Sequence, residues 1–420
     1  MEKDQRIVIV GAGTFGLGTA LRLKEEGYKS VTILDRSVPP VPDGSSNDIS
    51  RIIRFDYGDP IYAEIAKEAF DLWKTPDYKE AFHQAPCMWV CQDGTPEQPV
   101  QPRAHEYSEK TKRVLTEMGQ EWVPVNSVEE AKQHFPKLTG RLATTGFDGF
   151  YNTSAGWADA GLACARLMSR CASAGVSFIT GPNGHVEEFE KHQDGSIKSV
   201  RTKSGRVEGD HFIISTGAWT ASLIPSWNSM LAAGQVVGYL RLTPEEVTEL
   251  RDVPIYFNFS TGFFAFPPHE PTGYLKVACH GFGYTRSDTS VTSAPPSSAL
   301  APRGFEKVGI CWYNDTPTGD FIFDYHPEHN NLFIATGGSG HGFKFLPVIG
   351  KYIVGSWQRK LSGELLSKWK FPTQFRERFQ GEVFTGDGSR GGPERRELTA
   401  HEIDTFGAAL KAASSRHSKI

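Results

Sequence analysis

Short apolar runs alternate with amphipathic segments at the start of the chain. Residues 6–10 form an apolar, β-branched run that predicts a buried strand, and residues 17–24 have the spacing of a helix. Residues 30–34 predict a second strand. A strand, a helix and a second strand in this order are typical of a parallel sheet covered by helices.

The same pattern of elements continues to about residue 361. Residues 146–151 contain two glycines and are expected to form a loop, and residues 292–302 are expected to form a Ser/Ala/Pro linker. Helices are predicted at residues 61–73, 127–134, 160–174 and 347–361, and strands at residues 88–91, 176–179, 211–215, 308–313 and 331–336. A meander is expected at residues 186–208 and a second sheet between residues 234 and 286.

The turn after the first strand carries glycines in the spacing of a dinucleotide-binding loop. Gly11, Gly13 and Gly16 form G-x-G-x-x-G, and Asp35 follows the second strand at the position where an acid bonds a ribose hydroxyl. The N-terminus of the helix directs its free N–H groups toward a pyrophosphate. The turn predicts a dinucleotide site without distinguishing NAD from FAD.

These elements predict an α/β fold combined with an α+β part. We expect a Rossmann-like dinucleotide-binding domain and a second, mixed-sheet domain for the substrate. The first is expected to be discontinuous, built from residues 1–84, 152–222 and 304–370. The second is assigned to residues 85–151 and 223–303, and a C-terminal tail to residues 371–420.

Composition and charge exclude several classes of partner. The 420 residues include 45 Lys and Arg against 49 Asp and Glu, so the net charge of −4 offers no basic field for nucleic acid or an anionic membrane. We find no apolar run of the ~20 residues needed to cross a bilayer. Six cysteines without tight spacing predict reduced thiols in an intracellular compartment.

The last three residues indicate a destination within the cell. Ser418-Lys419-Ile420 is close to the Ser-Lys-Leu signal for peroxisomal import, and the tail before it is small, polar and basic. We expect a peroxisomal protein that binds an import receptor through this tripeptide. The cytoplasm is the alternative, because isoleucine is not the usual last residue.

Two other chemistries lack the spacing they need. His326, His329 and Asp324 share a short loop, but no cysteine pair or third histidine accompanies them, so no metal site is predicted. Gly338-Ser339-Gly340 does not have the G-x-S-x-G frame of a serine hydrolase.

Seven stretches, in order, together resemble the sarcosine oxidase family of FAD-dependent amine oxidases. This family also includes pipecolate, saccharopine and N-methyl amino acid oxidases and the fructosyl amino acid oxidases, or amadoriases. The stretches are the 11–16 turn, residues 44–54, residues 156–160, residues 216–220, residues 273–276, Cys311 with residues 315–317, and residues 339–344.

The resemblance assigns residues to a bound FAD. It implies that Cys311 is joined through sulfur to the 8α carbon of the flavin, although an ordinary core thiol is the alternative. The residues that it places around the FAD are Gly11, Gly13, Thr14, Phe15, Gly16, Asp35, Ser46, Ser50, Arg51, Cys311, Gly340, Gly342, Phe343 and Lys344.

The resemblance also assigns residues to catalysis and substrate binding. Lys276 matches a lysine beside the flavin ring, where a fixed ammonium stabilises the superoxide formed from O2. Arg54 and Lys344 match the pair that holds a substrate carboxylate, with the guanidinium suited to bidentate contact. Arg51, His280 and Tyr313 complete the predicted catalytic set. Without the resemblance, two solvated arginines on a surface helix would be the favoured explanation of Arg51 and Arg54.

The chain departs from the family pattern at several positions. Asn47 stands where sarcosine oxidases often carry a histidine linked to flavin attachment, and Phe264 stands where a tyrosine is expected near the flavin. Amadoriases have Lys in place of Arg51 and Ser in place of Gly342, so the chain is less similar to them. The tail around residues 386–393 is closer to fungal pipecolate- or saccharopine-type members.

The resemblance implies an oxidase of secondary amines of amino acids that forms an imine and reduces O2 to H2O2. The expected partners are a small-molecule amine and O2, with no nucleic acid or membrane, and a monomer is favoured by analogy. A biosynthetic flavoenzyme that closes a ring, a fructosyl amino acid oxidase and an NAD-linked dehydrogenase remain alternatives.

Overall fold

The computed structural model describes residues 2–94, 100, 103–138, 145–285, 305–373 and 386–399. The predicted linker at residues 292–302 and the tripeptide Ser418-Lys419-Ile420 lie outside the described residues.

The described chain contains both helices and strands. The helices are α1 (Thr14–Glu25), α2 (Pro60–Trp73), α3 (Arg103–Glu117), α4 (Val128–His134), α5 (Ala160–Ser173), α6 (Thr220–Leu223), α7 (Pro244–Leu250), α8 (Ile349–Trp357) and α9 (Gly363–Lys368). The strands are β1 (Arg6–Val10), β2 (Ser30–Asp35), β3 (Arg51–Ile53), β4 (Phe82–Gln84), β5 (Cys87–Cys91), β6 (Val123–Pro124), β7 (Asp148–Asn152), β8 (Gly156–Ala158), β9 (Ser177–Thr180), β10 (Val186–Lys191), β11 (Ile197–Thr202), β12 (Gly205–Glu208), β13 (His211–Ile214), β14 (Leu231–Arg241), β15 (Ile255–Asn258), β16 (Phe263–Ala265), β17 (Tyr274–Cys279), β18 (Tyr284–Thr285), β19 (Lys307–Asp315), β20 (Ile322–Tyr325), β21 (Leu332–Thr336) and β22 (Arg396–Glu397).

A six-stranded sheet contains the predicted dinucleotide-binding unit. Its strand order is β20-β21-β13-β1-β2-β9, with every pair parallel except β20 with β21. The central strands are apolar and buried, as expected for strands covered on both faces. Helix α1 packs so closely on α8 that a Cβ at Gly350 would lie 2.1 Å from the carbonyl oxygen of Gly18. The predicted Rossmann-like fold is confirmed.

A larger, mostly antiparallel sheet forms the second layer. Its order is β22-β18-β14-β17-β16-β15-β5-β7-β6, and β19 pairs along its length with β14. Two three-stranded sheets, β3-β8-β4 and the meander β10-β11-β12, complete the described sheets. The predicted second sheet and the meander are therefore both present.

Two details differ from the sequence-based expectations. Residues 146–151 were expected to be a loop, but β7 occupies residues 148–152 between β5 and β6. Gly149 serves close packing there, because a Cβ would lie 2.2 Å from the carbonyl oxygen of Trp89. The strand β19, assigned to the dinucleotide-binding part, is hydrogen-bonded into the large sheet. The predicted division into domains otherwise stays a prediction.

The tail is partly built into the large sheet. Strand β22 pairs in parallel with β18, and the N–H groups of Gly391 and Gly392 donate to the carbonyl oxygens of His280 and Ser260. The described part of the predicted C-terminal tail therefore lies against β17 and β18.

The glycine turn generates a prediction about stability. A Cβ at Gly16 would lie 1.9 Å from the carbonyl oxygen of Gly11, so Gly16→Ala must push α1 away from β1. We expect a loss of about 1–3 kcal/mol, seen as a lower midpoint in thermal unfolding. The control is Gly363→Ala at the start of α9, where a Cβ would meet no atom within 4 Å. An unchanged midpoint for Gly16→Ala would contradict this packing.

Candidate functional site

Three adjoining cavities run from the carboxyl end of the six-stranded sheet to the face of the large sheet. The innermost has about 940 Å³ of space and contains Gly11, Asp35 and Arg36 in its wall. The middle and outer ones have about 690 Å³ each. Ser45 and Ser46 line both the innermost and the middle cavity, while Arg51, Cys311 and Tyr313 line both the middle and the outer cavity.

The glycine turn shapes the inner end. Gly11 has φ +107, and a Cβ there would lie 2.5 Å from the carbonyl oxygen of Ser215. Gly13 is the N-cap of α1 and offers no side-chain cap, and a Cβ on it would approach Ser46 Oγ to 3.0 Å. The turn thus keeps backbone and helix N-terminus accessible to a phosphate group. Asp35 accepts hydrogen bonds from the N–H groups of Ala12 at 2.7 Å and Ser37 at 3.2 Å, which fixes the turn.

Unpartnered polar atoms in the cavity walls fit a large polar ligand. Ser215 Oγ and Trp312 Nε1 are buried and have no hydrogen-bond partner among the described residues. Both residues line the middle cavity, and Arg36 stacks 4.2 Å over the ring of Trp219 at the inner end. An unpaired buried donor is costly, so these positions fit an extended dinucleotide such as FAD.

Cys311 lies on β19 where the middle and outer cavities meet. Arg51, on β3, donates from Nη2 to Cys311 Sγ at 3.2 Å and to the carbonyl oxygen of Ser45 at 2.8 Å. Arg51 is therefore part of a short strand inside the site, rather than of a solvated surface helix.

A buried carboxylate that the sequence analysis did not single out organises the neighbouring side chains. Asp48 accepts from Lys276 Nζ at 2.7 Å and Tyr239 Oη at 2.8 Å, and it also pairs with Arg51. Lys276 is only 2% exposed and donates a second bond to the carbonyl oxygen of Ser50 at 2.8 Å. Burial lowers the pKa of Lys276 to about 8, although Asp48 opposes that shift. Desolvation would raise the pKa of Asp48, but Lys276 and Arg51 hold it well below its usual range.

Two further buried cations, Arg54 and Lys344, line the outer cavity. Arg54 is 6% exposed, and its Nη1 has no hydrogen-bond partner among the described residues. Its guanidinium lies 4.6 Å from the ring of Tyr57 and 4.9 Å from that of Trp89. Burial and the charge of Arg54 lower the pKa of Lys344 well below its usual range. An anion bound between Arg54 and Lys344 would offset the cost of burying these two positive groups close to one another.

The hydrogen bonds around Lys344 and His341 determine which ring nitrogen of His341 carries the proton. Lys344 Nζ donates to Tyr57 Oη at 2.9 Å and to the carbonyl oxygen of His341 at 2.8 Å. His341 Nε2 lies 2.8 Å from the carbonyl oxygen of Gly319, so Nε2 carries the proton and Nδ1 accepts from Tyr57 Oη at 2.9 Å. Burial lowers the pKa of His341 to about 3, which keeps the ring neutral.

His280 and Tyr313 are joined by a hydrogen bond of 3.0 Å and both line the outer cavity. Phe264 lines the same cavity and stacks on Phe257 with the ring planes 6° apart. The absence of a hydroxyl at Phe264 leaves this wall apolar.

The structure brings most predicted site residues to the cavity walls. Gly16 and Ser50 are not among the residues that line these three cavities. Gly16 packs against the turn, and the carbonyl oxygen of Ser50 accepts a hydrogen bond from Lys276. The predicted residues that line at least one cavity are Gly11, Gly13, Thr14, Phe15, Asp35, Ser46, Arg51, Arg54, Lys276, His280, Cys311, Tyr313, Gly340, Gly342, Phe343 and Lys344.

Sequence reasoning missed Asp48, Tyr57 and His341. Asp48 had a usable signal, since it is the only acid between Ser46 and Arg51 and buried cations require a counter-charge. Tyr57 and His341 had none, because an aromatic after a strand and a histidine in a glycine-rich turn are compatible with ordinary packing.

The loop with His326 and His329 is held by protein contacts. His326 Nε2 donates to the carbonyl oxygen of Pro225 at 3.1 Å, and its Nδ1 accepts from the N–H of Glu328 at 3.2 Å. Both nitrogens are therefore engaged with the backbone. Asp324 instead pairs with Arg359 and accepts from the N–H of Phe371.

Comparisons with known proteins agree with this geometry. Within the described residues no helix is long and apolar enough to cross a membrane. The L-saccharopine oxidase of Schizosaccharomyces pombe is 28% identical over 416 residues, covering 89% of this chain and 94% of that protein. A monomeric sarcosine oxidase of Arthrobacter sp. is 26% identical, covering 84% of this chain and 92% of that protein. The crystal structure of the fructosamine oxidase Amadoriase II from Aspergillus fumigatus superposes with a TM-score of 0.80 at 25% identity, covering 95% of this chain and 96% of that one.

These likenesses confirm the resemblance that the sequence motifs predicted. The model of one family, described as FAD dependent oxidoreductase, matches residues 6–355. This protein therefore belongs to the FAD-dependent oxidoreductase family, and its cofactor is FAD.

Proposed function

We propose that this protein is an oxidase of secondary amines of amino acids, with FAD attached through Cys311. The observation that carries the proposal is the outer cavity, where Arg54 and Lys344 are buried beside Cys311 and Lys276. The unpartnered Nη1 of Arg54 supports a carboxylate-bearing ligand. Relatives that include saccharopine and sarcosine oxidases support the amine as the reacting group.

The residues of the outer cavity orient the substrate. Arg54 and Lys344 bind the carboxylate, while Phe257 and Phe264 exclude water from the apolar part of the molecule. Bound FAD supplies the two-electron acceptor for the amine carbon and passes both electrons to O2. The amine reacts as the free base, so the overall change converts amine and O2 to imine and H2O2.

Lys276 is assigned to the reaction with O2. Its ammonium is fixed between Asp48 and the carbonyl oxygen of Ser50, so little reorganisation is needed when negative charge develops on oxygen. The position next to Cys311 in the outer cavity supports this role.

The assignment of Cys311 rests on its environment. Its thiol is partly exposed to the cavities, forms no disulfide, and accepts from Arg51 Nη2. Forming a thioether there removes one proton from sulfur and one from the 8α methyl group, and the two electrons reduce O2 to H2O2.

A substrate panel tests the reaction, and Arg54→Lys tests the carboxylate site. We expect O2 consumption with at least one of sarcosine, pipecolate, saccharopine and N-methyl aromatic amino acids. With that substrate, Arg54→Lys should lower kcat/KM about 10- to 100-fold, because a charged hydrogen bond is lost.

The control for Arg54 is Arg113→Lys on the exposed face of α3, which should leave kcat/KM unchanged. The matching amine without a carboxylate should react equally with the protein and with Arg54→Lys. Activity confined to fructosyl amino acids, or no O2 consumption with any amine, would contradict the proposal.

Acid precipitation tests the covalent bond. Flavin absorbance should stay with the precipitated protein and move to the supernatant for Cys311→Ser, because a hydroxyl does not replace the thiolate as a nucleophile. Cys279→Ser is the matched control, since Cys279 lines the same cavity and should retain the flavin. Release from the unmodified protein, or retention by Cys311→Ser, would refute the attachment.

The pKa of Lys276 predicts a pH dependence. Because the ammonium persists only below a pKa of about 8, reoxidation by O2 should slow as pH rises through that value. Asp48→Asn removes a charge that raises this pKa, so the slowing should begin at lower pH. Lys276→Met should reoxidise roughly 100-fold more slowly at neutral pH.

Stopped-flow reoxidation of dithionite-reduced protein measures the pH dependence of the reaction with O2 without any amine. Asp77→Asn, an exposed acid paired with Arg170, is the control and should keep the original profile. A profile that does not change in Asp48→Asn would contradict the assigned coupling.

A further inference from the structure

A segment of the tail, residues 386–390, is fixed against the large sheet beside the outer cavity. Ser389 and Arg390 are each 3% exposed. Arg390 forms a two-pronged ion pair with Asp315 at the end of β19, and Arg390 Nη2 also donates to the carbonyl oxygen of Ser339 at 3.2 Å. This anchor holds the segment in place without involving Asp387.

A chain of hydrogen bonds leads from the cavity wall into this segment. Tyr313 Oη lies 3.0 Å from His280 Nδ1, and His280 Nε2 lies 3.1 Å from Ser389 Oγ. Ser389 Oγ in turn lies 2.6 Å from Asp387 Oδ1. Tyr313 lines the middle and outer cavities, whereas Asp387 is an exposed residue. The chain therefore connects the substrate cavity with solvent.

The chemistry of the groups fixes the direction of every bond. Asp387 is a carboxylate: although desolvation opposes it, His341 and the hydrogen bonds from Ser389 hold its pKa at about 2. Ser389 must therefore donate to Asp387 and accept from His280 Nε2. Burial lowers the pKa of His280 well below its usual range, so the neutral ring offers Nδ1 as an acceptor to Tyr313. All three donors point from the cavity toward Asp387.

Other charged and titratable groups surround this chain. Arg390, Arg54 and Lys344 disfavour a charged His280, and Asp387 favours it. The groups that face Tyr313, His280 or Asp387 from neighbouring elements are Arg51, Arg54, Tyr57, Tyr107, Cys311, Asp315, His341, Lys344 and Arg390. The cations make a lasting imidazolium unfavourable, which suits passage of a proton rather than its storage.

We propose that Tyr313, His280, Ser389 and Asp387 form the path by which the substrate amine loses its proton to solvent. The inference rests on the proposed amine oxidation, which requires a free amine. The ammonium proton passes to Tyr313 Oη, the phenol proton to His280 Nδ1, the Nε2 proton to Ser389 and the hydroxyl proton to Asp387, which releases it to water. The amine nitrogen keeps its electron pair, and no electrons are transferred. Reorientation of the ring and the two hydroxyls restores the starting arrangement.

Asp387→Asn and Ser389→Ala test the path through the pH dependence of flavin reduction. In anaerobic stopped-flow experiments we expect both variants to reduce the flavin roughly 10-fold more slowly than the unmodified protein at about two pH units below the pKa of the amine. The rates should converge where the amine is already a free base. Ser389→Thr keeps the hydroxyl and should restore the original profile.

Glu394→Gln is the matched control for charge. It removes an exposed carboxylate four residues after Arg390, outside the path, and should leave the profile unchanged. If Asp387→Asn and Ser389→Ala lower thermal stability but keep the original pH profile, the segment is only an anchor and the proposal is overturned.

Histidine ¹⁵N spectra give a readout that does not depend on turnover. With the His280 signal assigned by its loss in His280→Gln, we expect the proton on Nε2 in the unmodified protein. In Ser389→Ala this preference should weaken. A proton found on Nδ1 would overturn the path even if no amine is oxidised. Nε2 protonation without amine oxidation would instead overturn the proposed function, and with it the use of this hydrogen-bond chain for an amine proton.

Discussion

The buried carboxylate of Asp48 is the interaction on which the site depends. It lies in the loop after the dinucleotide-binding unit, yet two of its partners, Lys276 and Tyr239, belong to β17 and β14 of the large sheet. Removing one partner of a buried ion pair typically costs about 3–5 kcal/mol, because the other charge is left uncompensated. Asp48 therefore ties the loop that lines the inner and middle cavities to the sheet that carries Lys276.

The two buried lysines of the site differ in whether a carboxylate is hydrogen-bonded to them. Lys276 has a carboxylate at 2.7 Å and keeps a pKa of about 8. Lys344 has only neutral hydrogen-bond acceptors, and burial together with the nearby Arg54 lowers its pKa well below its usual range, although Asp387 and Asp56 oppose the shift. A bound carboxylate would supply the directly hydrogen-bonded counter-charge that Lys344 does not have in this structure. In the proposed reaction, binding of the substrate carboxylate would favour a proton on Lys344, whereas the substrate amine must lose one.

The sequence predicted the parts of the fold that local patterns determine. The β1–α1–β2 unit follows from apolar periodicity and glycine spacing, and the ends of these elements were predicted to within a few residues. The strand β7 was missed because its two glycines indicate a loop, and only pairing with β5 on one side and β6 on the other makes it a strand. Pairing with neighbouring strands, rather than a local sequence pattern, therefore makes this segment a strand.

The difference between local patterns and tertiary contacts also separates the site residues that could be predicted from those that could not. Cys311, Lys276 and Lys344 were accessible through motifs that accompany a family. The partners of these residues come from distant segments: Asp48 reaches Lys276 across 228 positions, and Ser389 reaches His280 across 109. Such pairs become visible only once the chain is folded, because the sequence around either residue does not indicate which distant residue is its partner. The tail shows the consequence, since Asp315 positions Arg390 and thereby places Ser389 beside a histidine of the cavity wall.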